Sequence, residues 1–182
     1  MSTEVSAANK FQDELYDWVQ SIAVILAVVI LLFTFVFRII GVDGDSMNPT
    51  LQDRDWMVVS NLFYEPKYGD IVILTKESFM LDPIVKRVIA TEGQVVDIDF
   101  TTGVVTIDGV VLDEPYIAEP TKRNLGMEFP AVVPDDCIFV MGDNRNHSSD
   151  SRDPSLGMIH KQHIIGRLLF RVFPLNKIGA VS

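Results

Sequence analysis

The sequence predicts a mainly β protein: a curled, barrel-like antiparallel sheet carried behind one N-terminal transmembrane helix. Three observations lead there. Residues 22–37 form an apolar run in which Thr34 is the one polar side chain. Beyond it, short β-branched runs alternate with turn-rich segments, as strands of a sheet or barrel do. Asp108-Gly109 stands between Val104-Val105-Thr106-Ile107 and Val110-Val111-Leu112. An Asp-Gly pair in that position signals a two-residue hairpin, because both turn positions need positive φ.

The apolar run comes first. A helix over residues 22–40 would be about 28 Å long, close to the hydrocarbon thickness of a bilayer. Arg38 near its end can snorkel to the headgroups. A cleaved secretory leader would have a basic start, a shorter apolar stretch and a small-residue cleavage site. Here the leader is acidic, with Lys10 against Glu4, Asp13, Glu14 and Asp17, and no Ala-x-Ala follows the run. A retained single-pass anchor is therefore expected. The chain then reads as residues 1–21 before the anchor, the anchor at 22–40, and a β domain at 41–182 with an excursion around 95–135. The base count does not orient the anchor, since Arg38 and Arg54 follow the run while Lys10 alone precedes it.

Strands follow in order. Trp56-Met57-Val58-Val59 and Asp70-Ile71-Val72-Ile73-Leu74 are separated by the turn-rich Glu65-Pro66-Lys67-Tyr68-Gly69. Residues 95–100 alternate and stop at Thr102-Gly103, ahead of the hairpin. Residues 113–135, rich in Pro and charge, read as a long loop. Residues 164–173 form a last long strand. No amphipathic helix is expected between the anchor and Asn146, and no repeat of 20 to 50 residues.

Composition narrows the function. The net charge is −10, without a basic stripe, which argues against nucleic acid and against attraction to anionic lipid. Membrane contact by the domain would have to be apolar. Roughly 140 residues beyond position 40 suffice for one core without disulfide staples. Cys137, the single cysteine, opens the apolar Cys137-Ile138-Phe139-Val140-Met141 and reads as a small core residue.

Chemistry concentrates in three blocks. Ser46 stands in Gly44-Asp45-Ser46-Met47-Asn48-Pro49, where Gly and Pro predict a tight turn that can present a hydroxyl. A plain turn-capping serine fits the same pattern. Lys86 stands in Pro83-Ile84-Val85-Lys86-Arg87-Val88-Ile89-Ala90, so a cation sits among apolar neighbours on either strand face. An ordinary lysine is no base near neutrality. Lowering its pKa by about three units requires roughly 4 kcal/mol of differential desolvation. A neutral amine could then accept the proton of Ser46. An edge lysine snorkelling to solvent is the alternative. The third block, Gly142-Asp143-Asn144-Arg145-Asn146-His147-Ser148-Ser149-Asp150-Ser151-Arg152-Asp153, is dense in residues that order a loop. It lacks the alternating carboxylates, central Gly and distal Glu of a calcium loop. His147, His160 and His163 lack the partners of a zinc site. No metal and no cofactor is expected.

Together these blocks, in this order after an anchor, resemble the type I signal peptidase (leader peptidase) family, membrane-bound Ser-Lys proteases, in its short single-span bacterial form. The resemblance covers nearly the whole chain: Ser46-Met47-x-Pro49-Thr50-Leu51, Lys86-Arg87-Val88, and Gly142-Asp143-Asn144-Arg145 through Ser148-x-Asp150-Ser151-Arg152. It implies a serine endopeptidase that removes signal peptides from exported preproteins at the bilayer. Ser46 would be the nucleophile and Lys86 its base. Ser148 would orient the amine, Asp150 and Arg152 would pair, and Arg87 would hold the acidic loop containing Asp143. The Ser46 N–H would donate to the oxyanion. Gly44 stands where some relatives carry a serine as second donor, which leaves a backbone group, a water or nothing for that role. Val42, Met47, Leu51 and Val85 would wall a small-residue, Ala-x-Ala-like pocket, or simply pack the core. The resemblance also implies a cytoplasmic N-terminus and an extracytoplasmic catalytic domain in the cell membrane.

Two rival readings use other features. His147 with Asp150 nearby could serve as the base instead. A β module without catalysis would bind an extracytoplasmic partner. Kinship with soluble Ser-Lys self-cleaving repressors is disfavoured, because no DNA-binding domain is visible.

Overall fold

The computed structural model describes residues 2–76 and 80–181. The chain divides after Arg38 into two units. The first is helix α1, Ser2–Phe35. Its stretch Glu14–Thr34 is long and apolar enough to cross a membrane. At 1.5 Å per residue that stretch spans about 31 Å.

The helix expected through residue 40 stops earlier. Strand β1, Phe37–Gly41, takes its place. Ile39 and Ile40 are β-branched and Gly41 follows, a combination that favours extended backbone over a last helical turn.

The second unit is built on β2 (Trp56–Ser60), β3 (Ile71–Lys76), β4 (Met80–Thr91), β5 (Val95–Asp99), β6 (Val104–Ile107), β7 (Val110–Val111), β8 (Ala131–Val132), β9 (Cys137–Met141), β10 (Ile159–His160) and β11 (Ile164–Phe173). The strands expected from the β-branched runs all form. The large sheet has the order β1-β2-β11-β3-β4-β9-β10, and the small sheet β7-β6-β5-β8. β1 and β10 end the large sheet, so it is open rather than a closed barrel. Register shifts in β11 at Leu168/Phe170 and Arg171/Phe173, and in β4 at Val88/Ala90, supply the bends that curl it.

The Asp108-Gly109 turn closes β6 onto β7 with Ile107 opposite Val110, and both turn residues have positive φ, 52° and 80°. The Asp108 carboxylate also accepts from the Val95 amide at 2.8 Å, tying the turn to β5.

Three apolar clusters form the core. β3 is buried on both faces: Ile71 and Ile73 pack with Met47, Leu51 and Met57, while Val72 and Leu74 pack with Val88, Ile138 and Val140. A third cluster joins the small sheet to β4 and β9 through Val96, Ile98, Val105, Ile107, Ile89, Phe139 and Met141. Burying each such aliphatic side chain contributes about 1.5–3 kcal/mol. Cys137 packs half-buried at the edge of this third cluster, where burial raises its thiol pKa. The central strands β3, β4 and β9 therefore offer little solvent access, and a polar group on them is desolvated unless a partner is provided.

Candidate active site

Residues 42–55 form a loop between β1 and β2. Its base is closed by Val42 N–H donating to Asp55 O at 2.8 Å and Arg54 N–H donating to Val42 O at 2.9 Å. Met47 and Leu51 are drawn into the core beneath it, at 1% and 0% exposure. Gly44 takes φ +86°, where a side chain would strain the turn. Two alternating apolar anchors and a tight turn leave Ser46 pinned between them. The Ser46 carbonyl in turn accepts from the Asn144 amide at 3.0 Å.

Lys86 reaches Ser46 from the middle of β4, which is paired to β3 through Val72 opposite Lys86. Its Nζ lies 2.8 Å from Ser46 Oγ and 3.0 Å from the Val85 carbonyl. The side chain is 3% exposed. Burial lowers its pKa to about 8; Asp150 and Asp143 oppose the shift and Arg152 assists it. A hydroxyl and a buried amine at this distance can exchange a proton.

Beneath the amine lies a layer of paired ions. Arg87 grips Asp143 with Nε at 2.8 Å and Nη2 at 2.7 Å, and its third nitrogen donates to Gly69 O. Thr50, from the Ser46 loop, donates its hydroxyl to the same carboxylate. Arg152 grips Asp150 in the same two-point way, at 2.8 Å on both sides, and Asp150 also accepts from the Gly142 amide at 3.0 Å. Such forks satisfy both oxygens of each carboxylate.

Ser148 is buried, but its hydroxyl makes no hydrogen bond to the Lys86 amine and has no partner among the described residues. It lies instead against Gly142, where an added Cβ would collide with both Ser148 Oγ and the Ser46 carbonyl. Leu51 is not a pocket residue. It is fully enclosed and packs into the core with Met47, Met57, Ile71 and Ile73. The cavity beside Ser46 holds about 300 Å³ and is walled by Val42, Met47, Val85 and Lys86, with His147 and Ser149 at one side. Asp150 is engaged by Arg152 and the Gly142 amide, and among the described residues it makes no hydrogen bond to His147.

Sequence reasoning missed a third ion pair. Arg145, fully buried, donates to both carboxylate oxygens of Glu114 at 2.9 and 2.6 Å and to the Thr121 hydroxyl. It also missed Tyr116, whose ring lies under Arg87. Glu114, Tyr116 and Thr121 sit in a loop without periodicity, and no local signal couples them to residues far along the chain.

The architecture is that of a membrane-anchored β protein whose candidate site holds a serine hydroxyl against a buried amine. Comparisons with known proteins give the family. Residues 15–173 match the family described as Signal peptidase, peptidase S26. A probable signal peptidase I-1 from Synechocystis is 41% identical over 170 residues, covering 87% of this chain and 83% of its own. A signal peptidase I from Bacillus amyloliquefaciens is 36% identical, covering 98% of both chains. A crystal structure of a signal peptidase I from Enterococcus faecalis aligns with 58% of this chain and 97% of its own, with a TM-score of 0.47 and 27% identity. The chain belongs to the signal peptidase family, peptidase S26. It is a membrane-anchored peptidase.

Proposed function

We propose that this peptidase is a serine endopeptidase that removes signal peptides from exported preproteins, with Ser46 as nucleophile and Lys86 as general base. The observation that carries the reading is the 2.8 Å contact between Lys86 Nζ and Ser46 Oγ, made by an amine whose charged form burial disfavours. The family membership supports the substrate class.

In this reading the neutral amine takes the Ser46 proton as Oγ attacks the scissile carbonyl. The resulting oxyanion is met by the Ser46 N–H. The Lys86 ammonium then protonates the leaving amine, and the carbonyl carbon remains bound to Ser46 as an ester. A water, deprotonated by Lys86, hydrolyses that ester and restores the serine. Ser148 would orient the amine by turning its unpartnered hydroxyl toward it. Asp150 with Arg152, and Asp143 with Arg87, hold the loop rigid and keep their charges mutually compensated.

Val42, Met47 and Val85 offer short apolar walls that suit small residues on the substrate, in keeping with an Ala-x-Ala-like cleavage site. The N-terminus would be cytoplasmic and the β domain extracytoplasmic, so the site meets a preprotein as it leaves the bilayer.

Processing of a signal-peptide-bearing preprotein by purified Lys86→Ala protein tests the reading. Uncleaved preprotein is expected, because alanine cannot accept the serine proton. Cleavage at the wild-type rate would overturn it.

A further inference from the structure

The segment around residues 114–118 has no reactive chemistry of its own, yet it reaches into the ion layer beneath Lys86. Tyr116 is half-buried, and the Arg87 guanidinium carbon lies 4.0 Å from its ring centroid. Arg145 approaches the same ring at 6.0 Å. Glu114 pairs with Arg145 and accepts from the Tyr116 hydroxyl at 3.2 Å. The Ala118 amide donates to the Asp143 carbonyl at 3.3 Å. One short segment therefore touches Arg87, Arg145 and the Asp143 backbone together.

The arrangement has a physical consequence for the amine. Arg87 must stay in the plane of the Asp143 carboxylate to serve both of its oxygens. An aromatic face over the guanidinium attracts it through the ring quadrupole and keeps water off it. With the ring gone, water reaches the fork and the pair loosens. The Asp143 carboxylate is then less neutralised, and its field falls on the neighbouring cation.

We infer that residues 114–118 form a strap and that Tyr116 is a positioning residue for Lys86, its ring holding Arg87 on Asp143 so that the carboxylate stabilises the ammonium less. The inference rests on the Ser46–Lys86 reading. Asp143, Asp150 and Arg152 are the charged groups that act on Lys86. Asp43, Asp45, Asp82 and His147 line the same cavity. Substituting Tyr116 alters none of these residues, only how firmly Arg87 holds one of them.

The test uses the full-length chain in detergent micelles and an internally quenched peptide with Ala at the first and third positions before the cleaved bond. kcat/KM is followed against pH for wild type, Tyr116→Leu and Tyr116→Phe. Tyr116→Leu is expected to move the acid limb upward by about one pH unit, which lowers kcat/KM about tenfold on the acid side and leaves the high-pH plateau in place. Tyr116→Phe keeps the ring and is expected to keep the wild-type limb. A wild-type limb in Tyr116→Leu, whatever its melting temperature, overturns the inference. So does a limb shifted equally in Tyr116→Phe. Should Tyr116→Leu not fold, Tyr116→Met, unbranched and flexible, reaches further along the vacated space without a π face and is read the same way. Full cleavage by Lys86→Ala would instead overturn the reading of Lys86 as base, an outcome distinct from an unmoved limb with Lys86 still essential.

Discussion

Lys86 and Arg87 are neighbours on one strand, exposed by 3% and 2%, and they meet burial in opposite ways. Arg87 holds a carboxylate with two nitrogens and a backbone carbonyl with the third. Lys86 holds a hydroxyl and a carbonyl, and among the described residues no carboxylate is in hydrogen-bond contact with it. Burial alone weakens a charge, and only a fitted counter-ion restores it. The guanidinium cannot give up its proton, so it must be paired; the ammonium can, so leaving it without a carboxylate lets it lose its proton more readily. The strand places a permanent cation and a convertible one side by side, and the counter-ion goes to the permanent one.

The largest effect is expected from erasing that difference. Lys86→Arg keeps a cation at the position but cannot accept a proton, so kcat for peptide cleavage should fall about 10⁴-fold, as for loss of a triad member. Near-wild-type turnover in that variant would end the account of Lys86 as base.

Removing the counter-ion from the permanent cation comes next. Asp143→Asn leaves the Arg87 guanidinium buried without its partner, and chemical unfolding of the detergent-solubilised protein should show a loss of about 3–5 kcal/mol. A loss below about 1 kcal/mol would mean the pair is no more than a surface ion pair in effect.

The convertible cation carries a linkage of its own. The Lys86 pKa is lowered to about 8 in the folded chain, below its ordinary value of 10.5. Between these two values the unfolded chain binds more protons, so folding stability should rise with pH across that window. The contribution approaches about 3 kcal/mol at its upper end. Below the folded pKa both states carry the proton and this contribution is flat. Comparing denaturant midpoints of wild type and Lys86→Met over that pH range checks it, since the methionine variant should lack the rise. The same titration should set the acid limb of kcat/KM in the free enzyme.

The smallest effect is expected at His147. It borders the cavity, and among the described residues no carboxylate is hydrogen-bonded to it; Asp150 is held by Arg152. His147→Ala should keep kcat/KM within about threefold of wild type; a loss of about 10³-fold or more would transfer the role of base from Lys86 to the histidine.

Much of the fold was legible in the residues. β-Branched runs bounded by Gly, Pro and Asp marked the strands, and Asp108-Gly109 marked its hairpin with the expected positive φ at both positions. Local steric rules govern these features, and such rules act between neighbours. The helix end was less legible, since Phe37-Arg38-Ile39-Ile40 is apolar enough for either a membrane turn or a strand, and pairing with the sheet decides between them. Leu51 looked like a possible pocket wall because apolarity alone does not say which way a loop residue faces.

The ion layer divides along the same line. Asp150 and Arg152 are two residues apart, and their pairing was foreseen. Glu114 and Arg145 are separated by 31 positions, and nothing in either neighbourhood announces the other. By itself the sequence determined the anchor, the strands, the hairpin and the residues able to do chemistry, because side-chain type and short-range spacing set those. Tertiary structure decided which of the buried charges is compensated and which is left to lose its proton. That choice depends on desolvation and counter-ion distance, and both are produced only when segments remote in the chain pack together.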